Sequence, residues 1–216
     1  MKSNRLILIS IILFLFSCKR NEEVIRTYPN YSQLKVGNYW IYKDFEIDEF
    51  GNERELNRYD SCYIEKDTIL NNMTYYKSIR PTFGYPGIYD YTFLRDSLDC
   101  IVNSNGQIIF SSENTTLLFS NYYISYNIND TIIDTICNIK WKMEENSSTV
   151  NTPSGVYNIL NSKQTYLLYP NWSQAGSPRY INTKYTLNIG IVTETFPFFV
   201  SNPSFIERRL LRYKVN

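Results

Sequence analysis

A chain of 216 residues with one alanine, Ala175, has almost none of the best helix former to build with. It carries instead twenty tyrosines, twelve phenylalanines and three tryptophans. Aromatic and β-branched side chains fit the pleated, half-buried surface of a sheet. The chain is therefore predicted to be mainly β, an antiparallel meander forming a sandwich or a strongly curved sheet.

Turn chemistry points the same way. Polar tips recur at Glu49-Phe50-Gly51-Asn52, Leu70-Asn71-Asn72-Met73, Asn103-Ser104-Asn105-Gly106 and Thr152-Pro153-Ser154-Gly155, each between apolar or alternating runs. Alternation is clearest in Tyr89 to Arg95, Ser61 to Lys66 and Tyr157 to Leu167, as for sheets with one face in a core. No segment carries a long amphipathic helical period. Leu34-Lys35-Val36-Gly37-Asn38 reads as a turn, and Tyr39-Trp40-Ile41-Tyr42 opens the first strand with Trp40 and Tyr42 on one face, predicted to pack in the core. Phe83 to Gly87 and Pro170 to Pro178 collect Pro and Gly and read as longer loops.

The amino terminus has a different character. Lys2 and Arg5 precede an apolar run from Leu6 to Phe16, shorter than the roughly 20 residues that span a bilayer, which reads as a signal peptide. Leu15-Phe16-Ser17-Cys18 resembles the lipobox of bacterial lipoproteins, although Phe16 is bulkier than the usual occupant of its position. That resemblance implies cleavage before Cys18, lipidation of its thiol with diacylglycerol and addition of a further acyl chain, such as palmitate. More than one chain gives stable anchoring. Residues 1–17 are then signal peptide, 18–30 a lipidated tether and 31–216 a single β-rich domain. Lys19 stands where an inner-membrane retention aspartate would, so the outer membrane is the expected destination, periplasmic face or cell surface. Glu22 and Glu23 resemble the surface-export signal of Bacteroidota lipoproteins; a solvated tether is the alternative.

Three further stretches, Leu34 to Tyr42, Asn151 to Leu160 and Asn188-Ile189-Gly190-Ile191-Val192, together resemble a group of uncharacterised β-rich lipoproteins of the Bacteroidota type. The resemblance implies a β fold and an envelope location, and no activity. Gly37 and Gly155 within these stretches suit turns that need positive φ.

Composition narrows the chemistry. Removing the first 17 of 216 residues takes Lys2 and Arg5 with it and leaves 20 basic against 21 acidic residues, which gives no electrostatic case for nucleic acid. With no histidine, a Ser-His-Asp triad, a Cys-His pair and a His-ligated metal are excluded. Dinucleotide and P-loop fingerprints are absent, and neither cofactor nor metal is expected. Cys62, Cys100 and Cys137 allow at most one disulfide and equally suit buried thiols. Acids such as Asp44, Glu46, Asp48, Glu144, Glu145 and Glu194 could serve a glycan hydrolase or, for the first three, a calcium site; for alternate acids such as Glu46 and Asp48, on one strand face beside a hairpin tip, solubilising surface charge is the plainer reading.

Aromatics carry the one positive binding argument, because exposed rings stack on sugar faces. Trp172, Tyr180 and Tyr85 are the first candidates for ligand binding, with Tyr89, Tyr91, Tyr122 and Tyr123 near them in or beside loops; cross-strand packing is the competing role. Four Asp-hydroxyl-apolar triplets, at Asp67, Asp96, Asp130 and Asp134, resemble an O-glycosylation signal of exported Bacteroidota proteins. The leading expectation is a non-enzymatic binding or structural component of the envelope, held at the membrane by Cys18 and recognising a glycan or a protein partner. The alternatives are a carrier sheltering an acyl chain or other apolar ligand in a curved sheet, motivated by Thr195 to Val200 and Leu210 to Val215, and a carboxylate-dependent glycan hydrolase.

Overall fold

The computed structural model describes residues 27–82, 87–128, 131–144, 148–199 and 202–216. Cys18, Glu22, Glu23, Tyr85, Asp130, Glu145 and Val200 lie outside these residues. Thirteen strands follow one another: β1 (Tyr39–Ile47), β2 (Glu53–Leu70), β3 (Met73–Pro81), β4 (Tyr89–Ser97), β5 (Cys100–Asn103), β6 (Ile108–Ser111) and β7 (Leu118–Ile128), then β8 (Thr131–Met143), β9 (Ser148–Thr152), β10 (Gly155–Leu168), β11 (Arg179–Thr186), β12 (Gly190–Pro197) and β13 (Phe205–Lys214). A 3-10 turn, Pro170–Trp172, follows β10. The β prediction holds, as a strongly curved sheet.

All four predicted tips are hairpin turns, and local backbone explains them. Gly51 and Gly106 sit at φ +81° and +80°, and Asn71 and Asn72 at +51° and +60°, the paired positive φ that matches strand twist in a two-residue loop. β1 to β6 form a meander, and so do β10 to β13. β13 lies antiparallel beside β1 and so joins the two meanders, and β8 lies antiparallel beside β10, which adds the β7–β8 hairpin at the end of the second. The spatial order is β6, β5, β4, β3, β2, β1, β13, β12, β11, β10, β8, β7, with β9 paired to the first half of β10.

The sheet curls until its ends meet. Ser162 Oγ on β10 donates to the Ile109 carbonyl on β6 at 2.7 Å, and Phe110 on β6, 1 % exposed, stacks on Tyr185 of β11 with ring centroids 4.4 Å apart. Side chains, and not a backbone ladder, close this seam. The result is a nearly closed barrel.

Its main core joins the three stretches that carry the family resemblance. Trp40, Tyr42, Ile159, Val192 and Leu210 form one buried cluster, with Tyr157, Ile189 and Ile191 against it. Trp40 Nε1 donates to the Ile189 carbonyl at 2.6 Å, and the Tyr42 hydroxyl to the Ile191 carbonyl at 2.9 Å. Gly37 and Gly155 take φ +87° and +145°, as their turn roles require. Cys62, Cys100 and Cys137 are free thiols on β2, β5 and β8, and burial pushes each thiol up from its ordinary pKa.

Candidate functional site

Cross-strand partners in an antiparallel sheet point to the same face. Asn121 on β7 faces Lys140 on β8, Lys140 faces Thr165 on β10, and Thr165 faces Tyr180 on β11. One step along, Tyr123 faces Asn138, and Asn138 faces Leu167. Buried Ile139 and Met143 alternate with exposed Lys140 and Lys142 on β8, so these lysines mark the outer face; Asn138 shares it by strand alternation, itself covered and bonded to Asn121.

Two hollows open on this face. A shallow groove of 440 Å³ is bounded by Asn121, Tyr123, Asn138, Lys140, Leu167 and Tyr169. A hollow of 270 Å³ is bounded by Pro178, Tyr180, Asn182, Thr195, Pro197 and Phe205. The row Asn121, Lys140, Thr165, Tyr180 runs from the first into the second. Tyr123, Tyr169 and Tyr180 are 62 %, 41 % and 40 % exposed, so their rings are available from solution.

Polar groups around the rings are held in place. Asn138 Nδ2 donates to Asn121 Oδ1 at 2.8 Å and to the Tyr122 carbonyl at 3.2 Å, which fixes both amides. Lys163 Nζ lies 4.3 Å from the Tyr180 ring centroid and donates to Glu144 Oε1 at 2.7 Å. Burial pushes the Glu144 carboxyl up, but the hydrogen bonds from Lys163 and Asn161 outweigh it and leave the pKa below its usual value. Asn182 N donates to Thr195 Oγ1 at 2.8 Å at the floor of the second hollow.

The predicted site residues separate. Tyr180 lines the second hollow. Trp172 stands in the 3-10 turn, half-buried, with its Nε1 donating to Asp134 Oδ2 at 2.9 Å; it lines neither hollow, whereas Tyr169 and Pro170 of the same turn line the groove. Hydrogen bonds from Asn171 and Trp172 hold the Asp134 carboxyl below the usual aspartate pKa. Tyr89 and Tyr91 are exposed on β4, six strands away from β11 in the spatial order, with Lys77 Nζ 4.9 Å from the Tyr91 ring. Asn121, Asn138, Lys140 and Tyr169 were not legible as site residues, since only the pairing of β8 with β10, past the intervening β9, assembles them. Arg179 was also missed: its buried guanidinium donates to the Ala175, Asn202 and Ser204 carbonyls and clamps the loop beneath Tyr180.

The candidate acids are engaged elsewhere. Asp44 and Glu194 lie inside the barrel, bound by Arg58 and Arg80, while Glu46 pairs with Arg54 outside. Asp48 is an acceptor in the β1–β2 turn, taking bonds from Phe50 N at 2.9 Å and Asn52 N at 2.8 Å. Among the described residues, no Asp or Glu lines either hollow. Among the described residues, Asp44, Glu46 and Asp48 belong to no cluster of three or more potential metal ligands.

No family model matches the chain, and no curated protein matches it. Two solved structures are similar to it. One, from Bacteroides fragilis NCTC 9343, is described as an exported protein with a YmcC-like fold; it matches at TM-score 0.47 and 12 % identity over 86 % of this chain and 99 % of its own. The other, from Parabacteroides distasonis ATCC 8503, is described as a lipoprotein, and matches at TM-score 0.47 and 13 % identity over 88 % of this chain and 100 % of its own.

Proposed function

We propose that this chain is a non-catalytic binding protein of the cell envelope, tethered to the outer membrane through lipid on Cys18, that takes an extended neutral glycan across the outer face of β7, β8, β10 and β11. The observation that carries the reading is the cross-strand row that joins two shallow hollows past three exposed tyrosine rings. A sugar ring has apolar C–H faces for stacking and hydroxyls around its rim for amides and lysines, and this face offers both sets side by side. A shallow, solvent-open groove without a lining carboxylate suits binding better than glycosidic cleavage, which needs two acids about 5–10 Å apart across the bond.

Titration calorimetry with neutral oligosaccharides of six or more sugars tests the reading. Tyr123→Ala and Tyr180→Ala are each expected to weaken the binding oligosaccharide by about threefold to tenfold, the worth of one aromatic stacking contact. Tyr91→Ala, on the distant β4 face, is expected to leave binding unchanged. Binding that survives the Tyr123→Ala, Tyr180→Ala double variant would move the site elsewhere. Fractionation of cells making the wild type and Cys18→Ala tests the tether: the wild type is expected in the membrane fraction and the variant in the soluble one.

A further inference from the structure

The curled sheet also encloses a cavity of 130 Å³, far from the outer face. Most of its wall is apolar, built by Trp40, Ile64, Leu94, Ile101, Tyr185 and Ile191. Its size approaches that of the roughly 150 Å³ apolar cavity that stays dry and takes up benzene. A sixteen-carbon acyl chain does not fit such a space.

One side of the wall is polar. Ser78 on β3 and Thr92 on β4 are cross-strand partners, and both line the cavity beside Arg80. Ser78 is 8 % exposed, and neither hydroxyl is hydrogen-bonded to a side chain or backbone group among the described residues. Thr92 is exposed, and Arg80 keeps 27 % of its side-chain surface, which puts the mouth of the cavity at β3 and β4. A wall hydroxyl with no protein partner is left to water, and a ligand oxygen that makes the same bond can take the water's place at little cost.

Charge decides what kind of ligand enters. Behind the mouth, Arg80 forms a two-pronged pair with Glu194, Arg208 Nε lies 2.5 Å from Asp60 Oδ2, and Arg58 pairs with Asp44. Arg208 further reaches toward Asp44 and Glu194, at 4.0 Å each. Three arginines thus balance three carboxylates in a buried space. An anionic ligand would add a charge with no counterpart, which a low-dielectric interior disfavours. The three titratable groups at the wall besides Arg80, the Tyr42 and Tyr185 phenols and the Cys62 thiol, have their pKa values pushed up by burial and stay neutral.

We propose that this cavity is a binding site for a small neutral organic molecule of about eight heavy atoms, with its apolar body among Trp40, Ile64, Leu94 and Ile101 and one hydroxyl or carbonyl oxygen at Ser78 and Thr92. It shares no side chain with the outer face, so each site stands or falls without the other.

Benzyl alcohol, toluene and benzoate are the probes, titrated against the whole mature chain by calorimetry and by thermal shift. Benzyl alcohol is expected to bind saturably, and benzoate about tenfold or more weakly, as a buried uncompensated charge demands. Ser78→Ala is expected to weaken benzyl alcohol by about fivefold, the worth of one hydrogen bond, and to leave toluene unchanged. Leu94→Trp, which fills the cavity, is expected to abolish the binding of both. The proposal is overturned if benzyl alcohol does not saturate, if benzoate binds as well, if Ser78→Ala changes nothing, or if a folded Leu94→Trp protein binds undiminished. Should Leu94→Trp fail to fold, Ser78→Ala and the benzoate comparison decide alone.

Discussion

Gly190 occupies φ +102°, and a Cβ there would sit 3.4 Å from Cζ2 of Trp40. The same turn presents the Ile189 carbonyl to the Trp40 indole, so backbone conformation and core packing depend on one another at this residue. Gly190→Ala is expected to destabilise the fold by about 1–3 kcal/mol, the cost of a side chain in a left-handed backbone region, measured as a lower urea midpoint. Asp134 makes a different kind of residue-scale prediction. Its pKa is depressed from 3.8 by Asn171 and Trp172, so the stability it lends to the Pro170–Trp172 turn is present above pH 3.8 and is lost as pH falls through the lowered value. The Trp172 indole N–H signal in NMR should shift and exchange faster across that acid range. Asp134→Asn should remove the dependence.

At the scale of elements, the strands and their turns were legible and their partners were not. Gly51, Asn71-Asn72, Gly106 and Gly155 announce hairpins because few other residues tolerate those backbone angles, and each hairpin joins neighbours in sequence. The pairing of β1 with β13 has no such local signal. Nor has the placement of β8 against β10, which skips β9. For that reason Tyr180 and Tyr123 could be marked as ring candidates from the chain alone, while the row of Asn121, Lys140 and Thr165 between them could not. Trp172 reads from sequence as an exposed loop ring, and its tie to Asp134 comes from a strand 38 residues away. Nothing local in the sequence marks an interior acid, yet Asp44 is 0 % and Glu194 4 % exposed, on strands β1 and β12, matched by arginines from β2, β3 and β13. These ion pairs link five strands across the interior. Glu194→Gln strips Arg80 of its counter-charge and is expected to cost about 3–5 kcal/mol in urea unfolding, the usual penalty for half of a buried pair.

At the scale of the whole molecule, the barrel is shut at one place by Phe110, Tyr185, Tyr31 and the bond from Ser162 to Ile109. Phe110→Ala should lower stability by about 3–5 kcal/mol through the cavity it leaves. Hydrogen exchange should show the loss first in β5 and β6, since those strands meet the rest of the ring only through side chains and β4. A ring closed by a ladder has a girth fixed by strand count and register. This one has a clasp. How far β6 tucks beneath β10 sets the circumference, so the chain can change the width of its interior by altering a few packed side chains, with every strand pairing left intact.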